Sequence, residues 1–518
     1  MPIRCYSISH YTEKRKTAPP DLSKLPWGRA FGSGALRFRS SREDSMDGSL
    51  KRESLFSEAP VWEAVARLAL PTIVSQVILV LYNMADTFFI GRNGTDAMIT
   101  AAAVCMPAFM ILSAISNLFG IGAVGVISRA NGAGNPEKAR DASSFAFWGC
   151  FAAAALYAVF CLLLRDPYVD LLGGSSPAVH PYAEGYLFWT VTVGGIFTAE
   201  NTLLGHLMRA EGRSLTASVG IGLGGVLNIL LDPLFMFVIF PRGEEVKAAA
   251  LATLLSNFCA FLYFLAAYAV VRTRGETRLT LKPRGASGDT VREVLATGAP
   301  ACLMTFCENL SYAVLDNLMA HNGVPAQAGI GVAKKINMLA HCIVRGMSQG
   351  VLPLIGYTYA AGMRKRMRSA VRLSAGGSIV LALLCTGASL AFAMPLVRVF
   401  NQNGGESIVY GAAFLRILCL GGPFSAWAYA CISIFQGVGR SRASLALALM
   451  RKGALDIPMM FLLRLVSPEF GIVAATPLAD LLVCAAAALI YNRFVKRHGK
   501  DKEIRKKAAV SFAMVRKV

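Results

Sequence analysis

Apolar runs of roughly 20 to 28 residues alternate along this chain with short polar gaps. At 1.5 Å per residue each run is long enough to cross a hydrocarbon layer ~30 Å thick. Twelve spans are predicted, near 64–92, 100–128, 142–164, 184–208, 214–240, 248–271, 294–320, 327–357, 370–397, 408–436, 443–463 and 470–492. The pattern predicts an all-α integral membrane protein. Alternate connections, at 129–141, 209–213, 272–293, 364–372 and 440–452, hold twenty Lys/Arg, so the positive-inside bias puts them and both tails in the cytoplasm.

The two halves of the chain resemble each other. Pro71 answers to Pro300 and Asn93-Gly94 to Asn322-Gly323; the turn residue Gly132 answers to Gly362, Gly212-Arg213 to Gly439-Arg440, and Pro233 to Pro458. The repeat is six spans long, and an even number returns the chain to its starting side. Two parallel six-helix lobes follow, with any transport path expected between them. The predicted organisation is an N-terminal basic tail at 1–57, an N-lobe at 58–271, a basic cytoplasmic linker at 272–293, a C-lobe at 294–492 and a basic cytoplasmic tail at 493–518.

Composition agrees with the pattern: 55% of residues are hydrophobic, 16% are charged and the mean hydropathy is +0.50, which excludes a soluble protein. The net charge of +21 changes little, because +13 of it sits in the two tails. Cationic tails beside membrane spans are topological signals or contacts with anionic lipid, and no aromatic-interleaved basic groove points to nucleic acid. The first 57 residues lack the apolar core of a signal peptide and read as disordered. Met46 opens a sensible start of its own, so residues 1–45 are expected to be upstream translation. The cysteines are scattered singly and the histidines show no ligand spacing, which leaves no metalloenzyme reading and no expected cofactor.

Two G-x-G-x-x-G strings, Gly120/Gly122/Gly125 and Gly220/Gly222/Gly225, lie inside apolar helical segments and not after a strand, so they read as helix-packing sites. Acids inside spans carry more information, since a carboxylate at bilayer depth costs a few kcal/mol and needs a use or a partner. Asp86, Asp232, Glu308 and Asp456 stand out. Asp86 and Asp232 fall in the outer half of the N-lobe; Tyr82 and Asn228 each stand one helical turn below one of them. Pro233 removes a backbone donor beside Asp232, and Thr253 comes to similar depth, so the group reads as a proton or hard-cation site, the alternative being polar glue between helices. Glu308 either faces a central cavity and attracts cations or is neutralised by Lys334, Lys335 or Arg345. Asp316 and Asp456 read as packing or lobe-interface residues. Methionines such as Met110, Met304 and Met338 suit an adaptable lining or simple gap filling.

Four strings carry a family resemblance: LALPTIVSQVILVLYNMADTFFIGR (68–92), RANGAGNPEKA (129–139), MRAEGRSLTASVGIGLGGVLNILLDPLFMFV (208–238) and IFQGVGRSRASLALALMRKG (434–453). They resemble the multidrug and toxic compound extrusion (MATE) family, nearest its bacterial DinF-like and Firmicute-type branches. The resemblance implies a twelve-helix, two-lobed antiporter in the bacterial cytoplasmic membrane, monomeric, exporting cationic amphiphilic compounds in exchange for H⁺ or Na⁺. It implies that Asp86, Asn228 and Asp232, with Tyr82 and Thr253 nearby, form the coupling-ion site, including any Na⁺ site. Glu308 resembles the seventh-span acid of some sodium-coupled members. Those members also carry a tenth-span acid, whereas GGPFSAWAYACISIFQ (421–436) has none, which favours coupling through the N-lobe. The rival inside the same superfamily is a lipid-linked oligosaccharide flippase, which would want a cationic cavity. An intramembrane enzyme or a channel finds no supporting motif.

Overall fold

A computed structural model describes residues 54–93, 95–400 and 405–515, with side chains for 54–85, 89–90, 95, 97–400 and 405–496. Residues 1–45, whose status the sequence left to Met46, lie outside the described residues. The helices are α1 (Val61–Asn93), α2 (Asp96–Gly132), α3 (Pro136–Leu163), α4 (Arg165–Leu172), α5 (His180–Leu187), α6 (Gly195–Ala210), α7 (Ser214–Leu234), α8 (Glu245–Thr273), α9 (Gly288–Ala320), α10 (Val324–Ala360), α11 (Arg364–Ala391), α12 (Ala393–Phe400), α13 (Glu406–Cys419), α14 (Gly422–Val438), α15 (Ser441–Leu449), α16 (Asp456–Arg464) and α17 (Phe470–Val515). Short π-helical segments join α5 to α6 (Phe188–Val193), extend α7 (Phe235–Ile239) and join α15 to α16 (Met450–Ala454). No strand occurs among the described residues.

Eight of these helices are long and apolar enough to cross a membrane, and α13 with α14 makes a ninth crossing bent by 45°. The other three of the twelve expected crossings are the interrupted pairs α5–α6 and α15–α16 and the helix α9. Alpha9 is less apolar than these and carries Asp289, Glu293, Glu308 and Asp316 along its length. Interruption and internal charge have one physical basis here. Backbone or side chain departs from a plain apolar helix where neighbouring protein, and not lipid, satisfies the polar groups.

The repeat reappears in details the spans did not reveal. The eight-residue helices α4 and α12 occupy matching places 228 positions apart, each between the third and fourth crossings of its half. Left-handed glycines also recur at matching turns: Gly212 (φ 79°) with Gly439 (φ 81°), and Gly134 (φ 70°) with Gly362 (φ 73°). The partner of Gly362 is therefore Gly134 and not Gly132. Gly132 ends α2, and any Cβ there would collide with the Tyr357 carbonyl.

The lobes join through small residues. Gly298 of α9 abuts the backbone of Leu118 on α2, Gly122 of α2 abuts the Val294 carbonyl, and a Cβ on Gly350 would lie 2.8 Å from the Ala69 Cα on α1. Hydrogen bonds Gln76–Gln349 (3.3 Å) and Asn117–Thr305 (2.9 Å) also cross the joint. At the end carrying the basic connections, Arg129 of α2 donates to the Gln436 and Gly437 carbonyls at 2.9 and 3.0 Å, and to Glu293 at 2.9 Å. Those carbonyls cap the negative end of α14, so one guanidinium ties both a helix terminus and a carboxylate across the lobes. Burial alone would push the Glu293 carboxyl up, but the Lys138 ammonium and the Arg129 guanidinium outweigh it and hold it below the usual carboxylate range.

Three stretches differ from the tail-and-loop reading. Residues 54–57, assigned to the N-terminal tail, form a helical turn in which Leu55 and Phe56 are buried. The Phe56 ring stacks 5.2 Å from Tyr357, and Arg366 grips the Leu55 and Phe56 carbonyls at 3.0 and 2.6 Å. The linker residues 280–282 dock on α3 through Ser143, Ser144 and Trp148. Arg451 and Lys452, counted among the basic connections, are instead wholly buried in the π turn between α15 and α16.

Candidate functional site

The N-lobe cluster is assembled from α7 and α8. Asn228 and Asp232 are four residues apart on α7, hence on one face, and both are buried. The Asn228 amide nitrogen donates to Asp232 Oδ1 at 3.4 Å and to Thr253 Oγ1 of α8 at 3.2 Å. With both amide hydrogens directed there, Asn228 Oδ1 is left buried without a hydrogen-bond donor. The cluster continues through Asn257, which donates to the Thr253 carbonyl (2.8 Å) and accepts from Asn201 of α6 (3.0 Å). Alpha7 passes through Pro233 and then widens to the π segment at Phe235, so the acid sits one residue before the helix loses regular pairing.

Alpha1 packs against α7 about one turn before the cluster. Gly222 and Gly225 of α7 admit the Ile78 side chain, and Tyr82, itself buried, lies 3.4 Å from where a Cβ on Gly225 would be. The second glycine string is therefore a helix-packing surface, and so is the first, whose Gly120 faces His206 and Gly122 faces Val294. Asp86 is on α1 four residues past Tyr82, but its side chain lies outside the described residues. The structure thus brings Asn228, Asp232 and Thr253 into hydrogen-bonding contact, with Tyr82 a helix away at Gly225.

Glu308 goes elsewhere. It is buried in the C-lobe, 2.5 Å from Arg345 Nη2, and accepts from the Tyr429 hydroxyl at 3.4 Å. Of the two readings the sequence left open, neutralisation by Arg345 is the one observed. Lys334 takes Asp316 as its partner, while its ammonium lies 5.4 Å from the Tyr312 ring centroid. Lys335, half-buried on α10, does not contact Glu308 in any described bond. Deeper in, Asp456 holds Lys452 at 2.8 Å and accepts from Ser311 (2.6 Å) and Thr476 (3.0 Å). Asp480 of α17 holds Arg451 at 2.9 Å, and the Arg451 guanidinium lies 4.2 Å from the Tyr429 ring centroid and 3.3 Å from His341 Nδ1.

Sequence reasoning passed over Asp480, Arg451, Arg209 and Glu200. Asp480 and Glu200 are acids within predicted spans, so the rule that selected Asp232 selects them too. Arg451 was hidden by its neighbourhood, since a basic pair near a span end looks like a loop. Arg209 sits at the end of α6, fully buried, with its Nη2 3.3 Å from Ser75 Oγ.

Comparisons with known proteins match this architecture. The MatE family model matches residues 71–234 and 300–462, one segment in each half. The multidrug export protein MepA of Staphylococcus aureus is 28% identical over 446 residues, covering 85% of this chain and 96% of that one; its Staphylococcus haemolyticus counterpart is 26% identical over 445 residues, 85% and 95%. Solved structures agree in fold: a MATE crystal structure superposes with TM-score 0.79 at 21% identity over 86% of this chain and 99% of that one. The Vibrio cholerae MATE transporter VcmN gives 0.76 at 23% identity over 86% and 98%. With a match in each half, a twelve-crossing two-lobed architecture and solved folds of the same kind, the chain belongs to the MATE family of membrane transporters.

Proposed function

We propose that this chain is a secondary-active multidrug efflux antiporter of the bacterial cytoplasmic membrane, with both termini cytoplasmic, exporting cationic amphiphilic compounds in exchange for H⁺ or Na⁺. The observation that carries the reading is the buried Asn228 Oδ1, left without a donor beside the Asp232 carboxylate and the Thr253 hydroxyl. A buried acceptor costs about 1–3 kcal/mol while unmade, and a cation or an added proton removes that cost. The cluster holds a carboxylate, an amide and a hydroxyl, oxygens of the kinds a hard cation takes once the amide turns; the same carboxylate suits a proton. Asp86 on the facing helix α1 supplies the second acid in this reading.

Alternating access needs an ion that binds one facing state better than the other. The Arg129 latch supports a state closed at the basic end, in which the N-lobe site is reached from the other side. Ion binding at Asp232 would reshape the α1–α7 contact at Ile78 and Tyr82, and the lobes would rock about the glycine joint at Gly298 and Gly350. The flippase reading asks for cations free to hold a pyrophosphate. Of Lys334, Lys335 and Arg345, the residues that would offer them, Lys334 and Arg345 each hold a carboxylate, as do Arg451 and Lys452.

The test is substrate efflux from proteoliposomes under separately imposed proton and sodium gradients. Asp232→Asn and Asp86→Asn are expected to abolish gradient-driven efflux while the folded protein still inserts. Parental transport by both variants overturns the reading.

A further inference from the structure

Glu200, on α6, is fully buried, and neither of its carboxyl oxygens meets a hydrogen-bond donor of good geometry. Its polar surroundings are sparse. The Cys150 thiol of α3 is its neighbour. Ser116 of α2 lies at the same packing site, with its hydroxyl engaged by the Leu112 and Ala199 carbonyls, both at 2.9 Å. On its own helix, His206 presses on Gly120 and Arg209 turns to Ser75, so neither basic group is directed at it.

An ionised carboxyl in such a place, with a weak thiol donor beside it and no counter-ion among the described residues, faces a desolvation penalty of several kcal/mol. A neutral acid does not, because its single hydrogen can be given to the thiol or hydroxyl beside it. A hard cation takes several oxygen ligands, and one carboxyl beside a thiol and an engaged hydroxyl offers fewer than the Asp232 cluster does. The chemistry of the pocket therefore selects H⁺ over Na⁺.

The position of Glu200 ties it to the transport site. The next residue, Asn201, lies about 100° further round the helix and donates to Asn257, which donates to the Thr253 carbonyl in the Asp232 cluster. Alpha6 begins at Gly195, directly after the π segment Phe188–Val193, a break at which a helix can swing. A shift of the Asp232 cluster pulls α6 through Asn201 and, in the same movement, displaces Glu200 from the α2–α3 pocket.

We propose that Glu200 is a second proton-binding site of the N-lobe, loaded with H⁺ while packed against α2 and α3, and releasing it when movement at the Asp232 cluster draws α6 away. The transport consequence rests on the antiporter reading; the occupancy of the site does not, so the two are measured separately. In infrared spectra of the purified parent at neutral pH, a carboxylic-acid C=O band is expected that is missing from Glu200→Gln. Identical spectra in that region overturn the proposal whether or not the protein transports anything. In proteoliposomes, Glu200→Gln is expected to keep efflux but lower the protons moved per substrate; an unchanged ratio overturns the coupling to transport. If Glu200→Gln does not fold, Glu200→Asp serves for the spectrum: the band is expected to move in frequency, and an unmoved band overturns the assignment.

Discussion

The two lobes descend from one repeat yet treat buried charge in opposite ways. In the C-lobe four acids inside the crossings each hold a side-chain cation: Glu308 with Arg345, Asp316 with Lys334, Asp456 with Lys452 and Asp480 with Arg451. In the N-lobe the described partners of the cluster are amides and hydroxyls, Asn228, Thr253, Asn257 and Asn201, and Glu200 has only a thiol and an engaged hydroxyl nearby. A carboxylate paired with a side-chain cation already has its charge offset. A site whose described bonds are made by amides and hydroxyls suits the exchangeable ion of the proposed antiport.

The sharpest way to break this contrast is to unbalance one C-lobe pair. Asp480→Asn leaves Arg451 buried beside a neutral amide and is expected to cost about 3–5 kcal/mol of stability, read as a large fall in the detergent melting temperature. Replacing the pair together, Arg451→Met with Asp480→Leu, is expected to restore most of that loss. A double variant as unstable as the single one would mean that the pair does more than neutralise itself.

The N-lobe should respond in function and not in stability. Asn228→Ala removes the amide that bridges Asp232 and Thr253 and is expected to weaken coupling-ion affinity about tenfold, the size of one charge-assisted hydrogen bond. Ion-dependent fluorescence titration reads it; a drop in melting temperature matching that of Asp480→Asn would erase the distinction between lobes.

A smaller effect is expected at the joint. Arg129→Gln gives up the charged bonds to Glu293 and to the α14 carbonyls. It should raise the fraction open at the basic end several-fold, measured as thiol-reagent labelling of a cysteine placed at Thr297. Equal labelling in both backgrounds would remove Arg129 from the latch. The smallest is a pH effect. The Glu293 carboxyl is held below its ordinary range, so its stabilising contribution is full above the unfolded-state value and is lost as pH falls through the lower folded value. Acid-side closure at the basic end should therefore weaken with Glu293 present and be flat with pH in Glu293→Gln.

Much of this was legible from the residues in order. The length and spacing of apolar runs named the crossings, because a helix in lipid must satisfy its backbone internally and so must be long and continuous. The i, i+4 spacing of Asn228 and Asp232 was enough to place them on one face, since the helical repeat alone decides that. Where the chain departs from plain helix, legibility failed. The π turn that buries Arg451 and Lys452 looks in sequence like a basic loop, and the eight-residue helices α4 and α12 were absorbed into neighbouring spans or gaps.

Sequence by itself determined that this chain crosses a membrane many times, in two related halves, with acids at depth, for those properties follow from local composition and periodicity. Only the tertiary structure decided which acid meets a cation and which meets an amide. Asp232, Glu200, Glu308 and Asp480 are alike as carboxyl groups in apolar segments; their fates diverge because α7, α6, α9 and α17 turn them toward different neighbours. The energy of a buried charge depends on what lies within a few ångströms of it, and that is a property of packing, not of the order of residues.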